Sequence, residues 1–140
     1  MNGPSEHLSW IELACHDSPR TQYPKEWRSD RALELAKAFE RVRELCGFPL
    51  TVNSAYRTPA YNRSIGGAIK SQHVEGRALD LVPVPCNDKN LMALRVAANA
   101  ARREGLLRGI GNYTGFVHID TRPGIEFTWR GSRTAITHNA

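Results

Sequence analysis

Two short segments of the chain concentrate side chains able to bind a metal ion. The first is Ser71-Gln72-His73-Val74-Glu75-Gly76-Arg77-Ala78-Leu79-Asp80, whose last residues read as a strand. Alternate residues of an extended chain share a face, so Ala78 and Asp80 point one way while Leu79 and Leu81 point the other. The leucines enter a core and Asp80 is aimed away from it. Gly76 permits a tight bend or a close backbone approach, which can bring His73 back over the strand end. The second segment, Gly115-Phe116-Val117-His118-Ile119-Asp120, repeats the pattern, with His118 and Asp120 on the face opposite Val117 and Ile119. Together His73, Asp80 and His118 offer zinc two nitrogens and one oxygen and leave a fourth position for water. That is the arrangement of catalytic rather than structural zinc. Zinc brings the pKa of such a water to roughly 7 and polarises a carbonyl, which suits amide hydrolysis. Each residue alone has an ordinary reading: a hydrogen-bonded loop histidine, a solvated or capping aspartate, a packed imidazole. What favours a metal is that all of them stand opposite apolar, core-directed neighbours.

Holding these residues in place requires a framework, and the spacing predicts one of class α+β, a small antiparallel sheet flanked by helices. Ser29 reads as the N-cap of a long helix with apolar residues at Ala32, Leu35, Ala36, Phe39, Val42 and Cys46, stopped by Gly47. A second long helix is capped by Asn87 or Asp88 and stopped by Gly105, with Leu91, Leu94, Val96, Ala97 and Ala101 as its apolar face. Pro59 suits the first turn of a shorter helix running towards Ile65, ended by Gly66-Gly67. Strands are expected over 50–54, over 78–82 before Pro83 and Pro85, and over 110–112 and 116–119 around a Tyr113-Thr114-Gly115 turn. Leu8–Cys15 reads as a helical turn or a strand, 16–28 as a loop, and the polar end from Gly131 to Ala140 as a fraying tail.

With 140 residues the chain has the length of one domain, 1–140, and can bury a core without staples. A composition 41% apolar and 24% charged excludes a disordered tail or a fibre. The 3 cysteines, Cys15, Cys46 and Cys86, are odd in number and form no CxxC pair, so reduced, buried or half-buried thiols are expected rather than a disulfide framework or a zinc ribbon. The first residues show no basic and apolar signal pattern, and no run of 18 apolar residues could span a membrane. Cytoplasmic synthesis without a signal peptide and no membrane partner are the expectations. Lys and Arg number 19 against 14 Asp and Glu, a net charge of +5. The basic residues are scattered and match no DNA-binding spacing, so a nucleic-acid partner is not expected, and attraction to an anionic surface is.

The two segments resemble a known family. Ser71, His73, Gly76, Ala78 and Asp80 match the pattern Ser-x-His-x-x-Gly-x-Ala-x-Asp of the zinc D-Ala-D-Ala carboxypeptidases and related peptidoglycan endopeptidases, which share a fold with the Hedgehog signalling domain. Ser54-Ala55-Tyr56-Arg57-Thr58 is similar to the family's Ser-x-Tyr-Arg-Thr segment. Phe116-Val117-His118-Ile119-Asp120 resembles a branch common in phage lysis and tail proteins, as do Glu12-Leu13-Ala14-Cys15 and Tyr23-Pro24-x-Glu26-Trp27. The resemblance spans roughly residues 8 to 130. It implies zinc held by His73, Asp80 and His118, peptidoglycan peptides as substrate, a monomer, and action at the cell wall in phage lysis or from the virion. It also places Arg57 on the substrate's carbonyl or carboxylate, with a loop-anchoring salt bridge as the alternative. Ser71 either orients a ligand near the site or holds a turn, and Tyr113 joins it as a substrate-binding candidate.

One departure bears on catalysis. Many members carry a glutamate three residues before the last histidine, as base for the attacking water; here that position is Gly115. Asp120 is the available substitute for acid–base work. The same carboxylate could instead be the partner of a metal-bound imidazole or an alternative ligand. Tyr113 and Glu126 are weaker candidates for that chemistry. The missing glutamate leaves a second function open, a zinc-bearing wall-binding module without turnover.

Overall fold

The computed structural model describes residues 2–131. Its elements in chain order are α1 (Trp10–Leu13), a 3-10 turn at Lys25–Trp27, α2 (Arg31–Cys46), β1 (Leu50–Ser54), α3 (Pro59–Ser64), β2 (Ala78–Pro83), α4 (Asp88–Arg103), β3 (Gly109–Tyr113), β4 (Val117–Asp120) and β5 (Phe127–Gly131). The class is α+β, as the spacing predicts. Both long helices begin and end on local signals. Asp30, one residue beyond the expected Ser29, caps α2 by accepting the Arg31 N–H, and Gly47 closes it at φ 79°. Asn87 caps α4 by accepting from the Asn90 N–H at 2.8 Å. Ala32, Leu35, Ala36, Phe39 and Val42 are buried on α2, and Leu91, Leu94, Ala97 and Ala101 on α4. Val96, expected on that apolar face, is 63% exposed, because Leu94, Ala97, Ala98 and Ala101 set the buried stripe and Val96 falls off it. None of the helices among the described residues is long and apolar enough to cross a membrane.

The five strands form one sheet in the order β1-β2-β4-β3-β5. Every pairing is antiparallel except the last: β5 lies parallel to β3, with Gly109 opposite Phe127 and Tyr113 opposite Gly131. This edge strand is absent from the sequence reading because Phe127-Thr128-Trp129-Arg130 is short, and its partner is chosen by a chain reversal over 121–126 rather than by periodicity. Gly131, expected to begin a fraying tail, closes β5; the rest of that expected tail lies outside the described residues. The apolar side of the sheet, with Leu79, Leu81, Ile110, Val117 and Ile119, packs into one core with α2 and α4. The opposite side carries Asp80, His118 and Asp120, as the alternation requires. Cys15 is buried and Cys46 half-buried, whereas Cys86 is exposed on the Pro-rich turn after β2, where no core reaches; all are free thiols.

The N-terminal strap is tied to α2 through Glu40. Its carboxylate accepts from Ser5 Oγ at 2.6 Å, the His7 N–H at 2.8 Å and His7 Nδ1 at 2.7 Å. Partial burial alone would raise the Glu40 pKa, but these donors outweigh it and hold it below its ordinary value. The stabilisation it supplies is therefore complete above the unfolded carboxylate pKa of about 4.3 and is lost as pH falls through the lower folded value. Glu40→Gln is expected to lose about 1–2 kcal/mol in urea unfolding at pH 7, and the gap to the unaltered protein should close towards pH 3. A gap independent of pH would refute this role.

Candidate metal centre

The site is assembled from β2, β4 and the loop that precedes β2. In the β2–β4 ladder Asp80 stands directly opposite His118, and Ala78 opposite Asp120, so two polar side chains meet across adjacent strands. His73 arrives from the loop. Ser71 Oγ accepts the His73 N–H at 3.1 Å, and the His73 carbonyl accepts the N–H groups of Arg57 at 3.1 Å and Gly76 at 3.2 Å. Gly76 adopts φ +68° and a Cβ there would strike the Trp27 ring, so this turn needs glycine on both counts. Its carbonyl accepts from the Tyr23 hydroxyl at 2.6 Å, within a cluster of Tyr23, Trp27 and Tyr56 packed edge to face. The amino-terminal aromatics thus serve to brace the loop that carries His73.

His73, Asp80 and His118 converge, each buried, with potential ligand atoms within 4.8 Å of one another. The tautomers follow from the outer hydrogen bonds. His73 Nδ1 lies 2.7 Å from the Ala55 carbonyl and must donate to it, which leaves the Nε2 lone pair facing Asp80 Oδ1 at 3.1 Å. His118 Nε2 donates to Asp120 Oδ2 at 2.8 Å, which turns Nδ1 towards the same Asp80 Oδ1 at 3.0 Å. In these neutral tautomers acceptor atoms face one another, and a cation placed between them relieves that. The ordinary cations are a proton or a metal. Separations of 3.0–3.1 Å approach the edge of a tetrahedron with bonds of roughly 2.0–2.1 Å, so the donor set fits zinc. The electrostatics agree. Burial would raise the Asp80 carboxyl pKa, but His73 and His118 hold it well below the carboxylate range. Burial pushes the His73 imidazole down, which keeps it neutral as a ligand must be. For His118 burial acts downward too, yet hydrogen bonds to Asp120 and Asp80 leave it raised, so this corner draws positive charge.

The remaining expected site residues fall around this group. Arg57 is 2% exposed; Nη2 lies 3.6 Å from Asp80 Oδ2, Nε donates to Ser54 Oγ at 3.2 Å and Nη1 to Asn62 Oδ1 at 3.1 Å. The anchoring salt bridge is therefore present, directed at a candidate ligand rather than at the loop. Ser71 does both things considered for it, since the turn it holds is the one that orients His73. Asp120 lies on the far side of the His118 ring from Asp80 and is gripped by Arg122, through Nε at 2.9 Å and Nη2 at 2.7 Å. Burial opposes its charged form, but Arg122 and His118 hold its pKa far down. It is the ring's partner, and it stands outside the His73–Asp80–His118 group. Glu126 sits on the helix side of the sheet, paired with Arg102 of α4 at 2.9 Å, away from the metal group. Tyr113 is buried on the site face, stacked on Phe116 at 4.4 Å.

Several supports escaped the sequence reading. Arg122 follows Asp120 by two residues, a spacing that alternation could have flagged. Gly109 and Gly111 stand on β3 opposite Asp120 and His118. A Cβ at Gly109 would collide with the Asp120 carboxylate, and one at Gly111 with the Trp129 indole, so both glycines are empty space kept for the site. A model of the family described as Peptidase M15 matches residues 6–120. No curated protein matches the chain.

Proposed function

Since the chain belongs to the peptidase M15 family, we propose that it is a zinc-dependent peptidase that hydrolyses a peptide bond in the stem peptides or cross-links of bacterial peptidoglycan. The observation that carries the reading is the convergence of His73 Nε2, His118 Nδ1 and the Asp80 carboxylate, all buried, within reach of a single metal ion. Zinc bound by His73, Asp80 and His118 would supply Lewis acidity, polarising a carbonyl and making water nucleophilic near neutral pH. The protein's own groups do the rest. Ala55 and Asp120 fix the two ring tautomers, so neither histidine needs to reorganise to bind. Arg57, held by Ser54 and Asn62, faces Asp80 and brings a guanidinium to the edge of the site, where it would attract a peptide carbonyl or terminal carboxylate. The partner is a peptidoglycan peptide met by a monomer at the cell wall, in phage lysis or from the virion. The net charge of +5 would favour approach to an anionic wall.

Digestion of purified peptidoglycan followed by mass spectrometry of the muropeptides tests this. Loss of a terminal alanine marks a carboxypeptidase, and a split stem or cross-link an endopeptidase. Activity should vanish in a chelator and return with zinc; products formed equally well in a chelator would overturn the proposal. One observation favours a second reading, wall binding without turnover: Gly115 replaces the family's glutamate, and Asp120 is already held by His118 and Arg122. Co-sedimentation with peptidoglycan and no product from any muropeptide would establish that reading instead.

A further inference from the structure

Away from the metal group, α1 and the segment that follows it enclose a cavity of about 300 Å³. Trp10 and Ile11 of α1 line it together with the Tyr23 ring, and Ile11 is 86% exposed, a large aliphatic side chain left in solvent beside a hollow. Arg20, Gln22 and Arg28 supply the polar part of the lining. The Arg28 guanidinium lies over the Trp10 indole, 4.4 Å from the ring centre, and its buried Nε has no hydrogen-bond partner. Arg20 holds φ at 54°, a left-handed conformation uncommon for a residue with a side chain. Asp17 ties that turn: its carboxylate accepts the Thr21 N–H at 2.7 Å and the Thr21 hydroxyl at 2.5 Å, and its carbonyl accepts the Arg20 N–H at 3.0 Å. The acid nearest to Arg20 along the chain is thus engaged in the turn. Among the described residues no carboxylate pairs with the guanidinium of Arg20 or of Arg28.

We infer that this cavity is a second binding site, for a carboxylate carried on an aliphatic body and an amide, the chemistry of a peptide C-terminus. Two guanidinium groups share one hollow with no anion between them, and a carboxylate is their planar complement. The indole beneath Arg28 already holds that side chain, so little freedom is lost when the anion arrives. Trp10 and Ile11 cover the aliphatic side chain, and the Gln22 amide offers both a donor and an acceptor to the ligand's last amide. A volume at the lower end of the range for ligand pockets admits one chain end rather than a long segment. The site needs no metal, and none of its lining residues belongs to the His73–Asp80–His118 group. Tyr23 joins the two, since its hydroxyl donates to the Gly76 carbonyl in the turn that carries His73.

N-acetyl-leucine, its C-terminal amide and isocaproate (the same aliphatic acid without an amide) test this by NMR on the 15N-labelled protein. The reporter is the Trp10 indole N–H, assigned among 3 tryptophans by the signal lost in Trp10→Phe. N-acetyl-leucine should move that signal with a Kd on the order of 1 mM. The neutral amide should bind about tenfold more weakly, and isocaproate about fivefold. Arg28→Gln and Arg20→Asn should each bring the acid down to about the level of the amide. Asparagine tolerates the left-handed φ, so the Asp17 turn survives that change, and unmoved Trp27 and Trp129 signals report an intact fold in both variants. A Trp10 signal unmoved by about 10 mM N-acetyl-leucine would overturn the inference, as would equal affinity for acid and amide or full affinity in both arginine variants. Isocaproate binding as tightly as N-acetyl-leucine would replace the peptide end by a plain carboxylate. Binding should persist in a chelator; its loss there would move the ligand to the metal group and overturn the second site. None of these readings involves turnover, so the failure of the peptidase proposal and the failure of this one are seen separately.

Discussion

Asp80→Asn is expected to abolish zinc binding and hydrolysis together. Its Oδ1 is the atom on which His73 Nε2 and His118 Nδ1 both converge, at 3.1 and 3.0 Å. Asparagine keeps the shape, but it removes the charge and can turn an N–H towards a histidine lone pair. The stability readout separates this from misfolding. Zinc that binds only the folded state, at about 100 times its Kd, adds about 2.7 kcal/mol. For a chain of this size that is a rise in Tm of about 8 °C, at roughly 3 °C per kcal/mol. The rise should be absent in Asp80→Asn, and the variant should also start lower by about 3 kcal/mol, because Arg57 is buried and loses the carboxylate it faces. A zinc-dependent shift of full size in Asp80→Asn would remove Asp80 from the ligand set.

Asp120→Ala separates the two roles open to that carboxylate. As the partner of His118, Asp120 determines which nitrogen carries the proton and also balances Arg122. Its removal should lower zinc affinity by about 10–100-fold and stability by about 3 kcal/mol. At saturating zinc a large part of the turnover should return, since the reacting groups are still present. If Asp120 is also the general base, the same losses of affinity and stability should appear, but turnover should stay absent even at saturating zinc. Zinc titration of the metal-free protein defines saturation, and kcat measured at saturating zinc on the same preparation discriminates the two. The geometry favours the first outcome: the hydrogen-bonded oxygen of Asp120 lies on the side of the imidazole away from Asp80.

The long helices were legible because their signals are local. Apolar residues recur at helical spacing, and a capping residue and a left-handed glycine mark the ends, so Asp30 and Gly47 needed no partner elsewhere to act. The facing of His118 and Asp80 was equally readable, since alternation in an extended strand depends on nothing outside it. What Asp120 and Arg57 do was not. Both are ordinary charged residues in the sequence, and their partners come from Arg122, Ser54 and Asn62 through angles and distances that spacing does not carry. β5 illustrates the limit most clearly. Its parallel place beside β3 is determined by a non-local pairing, and with it comes the indole over His118.

The sequence by itself determined the α+β framework, the faces of β2 and β4, and the His73, Asp80 and His118 constellation, because periodicity and motif spacing are properties of neighbours along the chain. Only the tertiary structure decided which nitrogen of each histidine turns inward, that Asp120 is a ring's partner, and that Gly109 and Gly111 leave room for Asp120 and Trp129. Those outcomes depend on hydrogen bonds and excluded volume between residues far apart in the chain, which come into being only when the strands are in register.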